Sequence, residues 1–255
     1  MSIRVETVGN GPDLVLIHGW GMNAHVWGFF GLQLARRYRL HRVSLPGHGG
    51  SEFNPAEAGL DAWSDRILGA VPAGATWLGW SLGGLVAMNA ALRQPGNIRG
   101  LLLLASNPRF VRDQDWRSGV ARDVFGDFKQ MLLEDSHRTL MRFLALQVAR
   151  DEHSRELLAQ LREQMASVPE PDLAALEAGL AILRETDLRA RLPDLQCPRL
   201  WLLGHRDTLV PRQLRDALQQ IDPVSVVKLI PGAGHAPMLS HTEMCMQYVE
   251  EFLCR

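Results

Sequence analysis

Cysteine is scarce in this sequence. Three occur in 255 residues, Cys197, Cys245 and Cys254, an odd number with no CxxC pair. That excludes a disulfide scaffold and a cysteine-based zinc site, and it points to a reducing cytoplasm. An excess of either charge is also missing: 27 basic and 28 acidic side chains leave a net charge of −1, so no global field draws the chain to nucleic acid or an anionic membrane. Lysine is nearly absent, Lys129 and Lys228 being the only two; genome composition alone can produce that bias, so it carries little functional weight. No apolar run approaches the ~20 residues that span a bilayer. The opening MSIRVETVGNG lacks the apolar core of a secretory leader, which predicts a cytoplasmic protein. There are no repeats and no low-complexity tracts.

What remains is the composition of a soluble globular enzyme, 46% hydrophobic and 22% charged, in a chain long enough for one α/β domain with an inserted subdomain. Short apolar runs alternate with helical patterns. Strands are predicted over residues 13–19, 38–47, 76–80, 98–106, 198–204 and 224–230, and helices over 24–37, 60–71, 82–93, 211–221 and from about 240 onward. This alternation implies a mostly parallel sheet with helices on both faces. One region breaks it. Residues 110–188 contain no convincing strand and read as a helical lid inserted after the strand that ends near Ser106. Residues 1–109 and 189–255 then form the core. Pro169 and Pro171 predict a turn between lid helices within 166–176.

The stretch TWLGWSLGGLVAMNAAL, residues 76–92, starts as a buried strand and ends as a helix. Gly79-Trp80-Ser81-Leu82-Gly83 at its corner fits G-x-S-x-G in the strand-to-helix context that motif demands. There a serine sits on a strained turn with its Oγ above the sheet, and the glycines supply clearance. The plainer alternative is a glycine-rich turn with Ser81 as a helix cap.

A serine hydroxyl is a poor nucleophile unless an imidazole takes its proton, and that imidazole needs a carboxylate to hold its tautomer. Both partners follow in the order serine, acid, histidine. WLLGHRDTLVP puts Asp207 just after a strand, and LIPGAGHAPMLSH puts His235 in the loop after the last strand. Asp194 and Asp222 are alternatives to Asp207, but neither directly follows a core strand. Of the other histidines, His41, His137, His153 and His241 are read as lying in a strand or helices, and His205 as a surface-loop residue. HGWGMN, residues 18–23, follows the first apolar strand. The backbone amides of Trp20 and Leu82 are the expected oxyanion donors, with His18 structural.

These motifs together resemble an α/β-hydrolase of the esterase type along nearly the whole chain, from LIHGWG through LPGHGGS and GWSLGG to GAGHAP. WLGWSLGGLVA, the lid stretch RFLALQ (residues 142–147), GLAILRETDLR, DTLVPR and GHAPMLSH are similar to the pimeloyl-[acyl-carrier protein] methyl ester esterases of biotin synthesis. Two departures from the wider superfamily stand out: Ser44 where an aspartate commonly precedes the LPGHG loop, and LSHTE in place of Glu-His-Pro after the histidine. Neither touches the three chemical residues.

The resemblance implies that Phe143, Leu144, Ala145, Leu146 and Gln147 line an acyl channel beside Trp20, Ser81, Leu82 and His235. It implies an acyl-carrier protein as a transient partner, no cofactor and no metal, and a monomer. Arg138 and Arg142 are four apart and share a helix face, and with Arg155 they could meet carrier carboxylates or the phosphate of its prosthetic arm. Asp151, Glu152 and Glu156 are interleaved there, so a solvated charged face is the alternative. Three further functions suit the same residues: a short-chain carboxylesterase, a carrier-protein thioesterase, and a non-catalytic binding protein on this fold.

Overall fold

The computed structural model describes residues 2–166 and 168–254. Seven strands form one sheet: β1 (Val5–Val8), β2 (Asp13–Ile17), β3 (Arg39–Val43), β4 (Thr76–Trp80), β5 (Gly100–Leu104), β6 (Arg199–Gly204) and β7 (Val226–Ile230). They lie in the order β1-β3-β2-β4-β5-β6-β7, parallel except for β1, which runs antiparallel to β3. Every residue of β4, β5 and β6 is buried, as strands covered by helices on both faces must be. The edge strand β1 escapes the sequence reading because four residues, three half-buried and one exposed, are too few to show a period.

Helices α1 (Gly28–Leu34), α2 (Leu60–Leu68), α3 (Leu82–Arg93), α8 (Leu214–Ile221), α9 (Pro237–Ser240) and α10 (Thr242–Leu253) flank the sheet, and α4 (Arg122–Glu134), α5 (Ser136–Val148), α6 (Ser154–Ala166) and α7 (Leu173–Glu185) stand between β5 and β6. The helix expected over 24–37 is split: Ala24–Trp27 is a 3-10 turn, and α1 starts at Gly28, which takes a positive φ of 29°. The insertion is helical as expected, apart from isolated bridges pairing Val111 with Val120 and Asp113 with Trp116. Pro169 and Pro171 fall in the irregular link between α6 and α7; Ser167, in the same predicted turn, lies outside the described residues. No described helix is long and apolar enough to cross a membrane.

Strand register sets where the sheet ends. Ile17 pairs with Gly79, Trp80 with Leu104, and Leu104 with Leu202. The carboxyl ends of β2, β4, β5 and β6 are therefore level, and the loops leaving them meet in one crevice, where open α/β sheets place their sites.

At the opposite end, Arg199 opens β6 and is buried against Asp222, which ends α8. Its Nε donates to Asp222 Oδ2 at 2.7 Å, its Nη2 bonds Oδ1, and Nη1 donates to the Leu195 carbonyl. Removing one member leaves an uncompensated buried charge. Asp222→Ala should lower unfolding free energy by about 3–5 kcal/mol, read by urea denaturation, whereas exposed Arg191–Asp194 should matter by less than about 1 kcal/mol.

Candidate active site

Ser81 stands between β4 and α3 with φ 55° and ψ −116°, a backbone conformation disfavoured for any residue with a Cβ. Three hydrogen bonds hold it: its N–H donates to Leu104 O at 3.0 Å, and its carbonyl accepts from Gly84 N–H at 3.0 Å and from Ser106 Oγ at 2.8 Å. The glycines are needed for space. A Cβ on Gly79 would stand 2.4 Å from the Gly83 carbonyl oxygen, and one on Gly83 would stand 2.3 Å from that of Ile17. Both obstacles are backbone and cannot give way.

The three residues anticipated from the sequence come together. Ser81 Oγ lies 2.9 Å from His235 Nε2, and His235 Nδ1 lies 2.7 Å from Asp207 Oδ2. Asp207 Oδ1 accepts from the N–H groups of Leu209 and Val210 at 2.8 and 2.9 Å, so the carboxylate is immobilised by three bonds. All three side chains are buried. The other candidates are occupied elsewhere: Asp222 by Arg199, Asp194 by Arg191, and exposed His205 by Arg212. His41 bonds Asp13 and Thr7, and His137 pairs with Glu170. His153 stands just ahead of α6 rather than in a helix, and His241 sits between α9 and α10.

Trp20 and Leu82 flank the serine from two directions. Leu82 is the first residue of α3, whose opening N–H groups have no helical partner and carry the positive end of the helix dipole. Among the described residues, no hydrogen bond to another protein group uses the N–H of Leu82 or of Trp20. The loop bearing Trp20 lies close, since a Cβ on Gly19 would be 3.2 Å from Ser81 Cβ. His18 is structural, as expected: Nδ1–H donates to Gly19 O at 2.7 Å, and Nε2 accepts from Leu45 N–H at 3.0 Å, tying two loops together. The Trp20 ring reaches up into the insertion. Its Nε1–H donates to Leu176 O at 2.8 Å, and it packs edge-on against Phe143 at 4.8 Å, which in turn meets Phe128 at 5.8 Å.

Five consecutive residues of a helix sweep its whole circumference, so the run 143–147 on α5 cannot share one face. Leu144 and Gln147 are buried, Phe143 and Leu146 half-buried, and Ala145 exposed, which sets Ala145 apart from an inward-facing wall. Gln147 is 1% exposed, and neither atom of its amide head finds a partner among the described residues. Arg138 and Arg142 are exposed one turn apart on α5, and Arg155 is exposed in the first turn of α6. None is in an ion pair among the described residues, although Arg142 Nη1 lies 3.2 Å from Met131 Sδ.

Two contacts to the site escape the sequence reading. Trp80 Nε1–H donates to the His235 carbonyl at 2.7 Å, and Ser106 reaches the Ser81 carbonyl. The parallel register of β4 and β5 was the available signal for Ser106, since it places residues just beyond Leu104 beside those just beyond Trp80.

A hydroxyl, an imidazole and a carboxylate in this geometry, beside two backbone N–H groups without a hydrogen-bond partner among the described residues, can perform acyl transfer to water through a serine ester. Among the described residues, no cluster of His, Cys, Asp and Glu could hold a metal ion.

The comparisons agree with that geometry. A model of the alpha/beta hydrolase family matches residues 14–246. The pimeloyl-[acyl-carrier protein] methyl ester esterase of Aeromonas hydrophila is 43% identical over 254 residues, covering 99% of this chain and all of that protein. The one of Xanthomonas axonopodis pv. citri is 42% identical over 98% of each. Among solved structures, an esterase from Exiguobacterium antarcticum superposes with a TM-score of 0.89 at 20% identity, covering 99% of this chain and 96% of the other. A bromoperoxidase from Bacillus anthracis gives 0.89 at 21% identity, over 99% and 95%. These structural likenesses speak for the fold.

Two buried histidines beneath the site make stability depend on pH. Burial, reinforced by the neighbouring His48, pushes His18 down from 6.5 to about 3, and burial pushes His48 down to about 4. The unfolded chain therefore takes up protons below about pH 6.5 that the folded one refuses. Stability is complete above that pH and should fall by up to ~1.4 kcal/mol per unit for each ring as pH drops toward 4. Urea midpoints at pH 7.5, 6 and 5 should show the decline, and His48→Gln should make it shallower.

Proposed function

We propose that this chain, which belongs to the alpha/beta hydrolase family and within it to the pimeloyl-[acyl-carrier protein] methyl ester esterases, cleaves the methyl ester of a carrier-bound pimeloyl chain in biotin biosynthesis. The observation that carries the chemistry is the unbroken hydrogen-bonded chain from Ser81 Oγ through His235 to Asp207. Ser81 Oγ attacks the ester carbonyl as His235 Nε2 takes its proton. Asp207 holds Nδ1–H and balances the charge that forms on the ring. The N–H groups of Trp20 and Leu82 receive the oxyanion. His235 returns the proton to the departing methoxide, water then attacks the acyl-serine with His235 as base, and the free carboxylate leaves.

The helical insertion acts as the lid. Apolar Phe143 and Leu144 suit a polymethylene chain. The unpaired amide of Gln147 suits a polar group of the acyl arm, because a buried donor or acceptor without a partner costs about 1–3 kcal/mol, and a ligand that pairs with it removes that penalty. The substrate carries two carbonyls open to attack, the distal ester and the thioester next to the carrier. A slot of fixed length favours the distal one by setting how far the chain enters.

Incubating the protein with pimeloyl-carrier methyl ester should reduce the carrier's mass by a single CH₂ group, and Ser81→Ala should abolish the change. Loss of the entire acyl group would make the protein a thioesterase. An unchanged carrier beside a cleaved small ester would withdraw the substrate assignment.

The exposed arginines on α5 and α6 supply the carrier-facing surface. Reversing charge at Arg138 and Arg142 together should reduce kcat/KM on the carrier-bound ester by about tenfold or more at low salt while sparing a short soluble ester. Equal loss on both substrates would dismiss the docking role.

A further inference from the structure

The backbone leading into His235 is gripped from the insertion at two successive N–H groups. His235 N–H donates to the carbonyl of Gln147, near the C-terminus of α5, at 3.0 Å. The preceding peptide N–H, that of Gly234, donates to Asp151 Oδ2 at 2.7 Å. Asp151 is buried, and its Oδ1 accepts from His153 N–H at 2.9 Å, so both carboxylate oxygens are in use. A Cβ on Gly234 would already stand 3.3 Å from Asp151 Cβ. Between the two grips the chain takes a strained path: Arg150 has φ 68°, left-handed for a residue with a full side chain. Strained residues of this kind persist where the surroundings over-determine them. Among the described residues, the other two non-glycine residues with positive φ, Ser81 and Ala105, lie at the nucleophile and beside the serine that supports it.

We infer that Asp151 is a positioning residue for the reaction: it latches the loop of the base to the insertion, so that His235 reaches Ser81 only while residues 147–151 are seated. The inference rests on His235 being the base proposed above. The sequence neighbours of Asp151 give it the look of a surface acid, since Glu152 beside it is exposed and pairs with Arg206. Its burial and its second bond, to a residue 83 positions away, distinguish it. A simple helix-capping role uses only Oδ1, through His153. The Oδ2 bond to Gly234 has no part in α6 and serves the histidine loop alone.

The test uses Asp151→Ala and Arg150→Pro in the full chain. Proline locks φ near −65°, which swings the carboxylate away without altering it. Ala149, at φ −57° and ψ 132°, already has the backbone that precedes a proline. Thermal midpoint, kcat and KM on p-nitrophenyl butyrate, and the rate at which a fluorophosphonate labels Ser81 are measured on the folded fraction. Both variants should lose about ten- to a hundredfold in kcat, the scale of a misplaced catalytic group. KM should stay within about twofold, and the labelling rate should fall in parallel. Asp151→Asn keeps one acceptor oxygen and should lie between wild type and alanine. Unchanged kcat and labelling per folded molecule in Asp151→Ala would overturn the latch, as would a loss that tracks only the unfolded fraction. Should that variant fail to fold, Arg150→Pro decides by the same criteria. His235→Ala separates the two readings. If it is inert while the Asp151 variants keep full kcat, the latch alone fails; if it still turns over the ester, the base assignment fails and takes the latch with it.

Discussion

At the corner between β4 and α3, main chain meets main chain with no side chain between. Gly79, Gly83 and Gly84 allow contacts in which any Cβ would come within 2.6 Å of a backbone or side-chain atom. That closeness seats α3 directly against the carboxyl ends of β2 and β4. It turns Ser81 into its left-handed conformation, and it brings the first N–H of α3 to the same point as the nucleophile. The hydrogen bonds of Ser81 to the Leu104 carbonyl and from Gly84 and Ser106 fix what the glycines permit. A strained residue is retained here because its energy is spread over a buried sheet and a fully buried helix face.

The parts of the site lie at different depths in the fold, and that decided which were legible beforehand. Ser81 and Asp207 follow strands buried on both faces and His235 follows the half-buried edge strand β7, and each strand leaves an apolar run with a glycine at or soon after its end. The level carboxyl ends then do the assembly, so order along the chain was enough to anticipate contacts across 154 positions. The resemblance carried the family and the lid. The edge strand β1 went unread because a run of four residues is too short to show a period. Ser106 and Trp80 went unread as site contacts because hydrogen bonds to a backbone carbonyl leave no compositional mark. Asp151 was legible only as one acid among several: burial in an irregular segment is a tertiary fact, set by how α5 ends and where the β7 loop passes. For α5, a resemblance spread over five consecutive residues could not say which of them face inward; helical geometry and burial separate Ala145 from Leu144 and Gln147.

Electrostatics divides along the same line. The two acids that hold His235 and its loop, Asp207 and Asp151, are both saturated with donors, while the buried rings of His18 and His48 are held neutral. Apart from Arg199, buried at the opposite end of the sheet, the guanidinium groups lie toward the surface, where ion pairs add little stability. An apolar acyl chain can then enter a region whose few polar groups are already committed, except for those that the reaction and the Gln147 amide leave available.

Trp20 belongs to the core by sequence and to the insertion by packing. Its loop follows β2, yet its indole is bonded to Leu176 O on α7, stands against Phe143 on α5, and occupies the space that a Cβ on Gly179 would need, 2.7 Å from Cδ1. Residues 110–188 are therefore not an interchangeable cassette. A chimera that grafts the corresponding segment of another hydrolase onto this core must bring a residue without a side chain beneath the indole and a carbonyl at its nitrogen. Otherwise the graft displaces the very loop that stands against Ser81, and new specificity arrives with a damaged reaction centre.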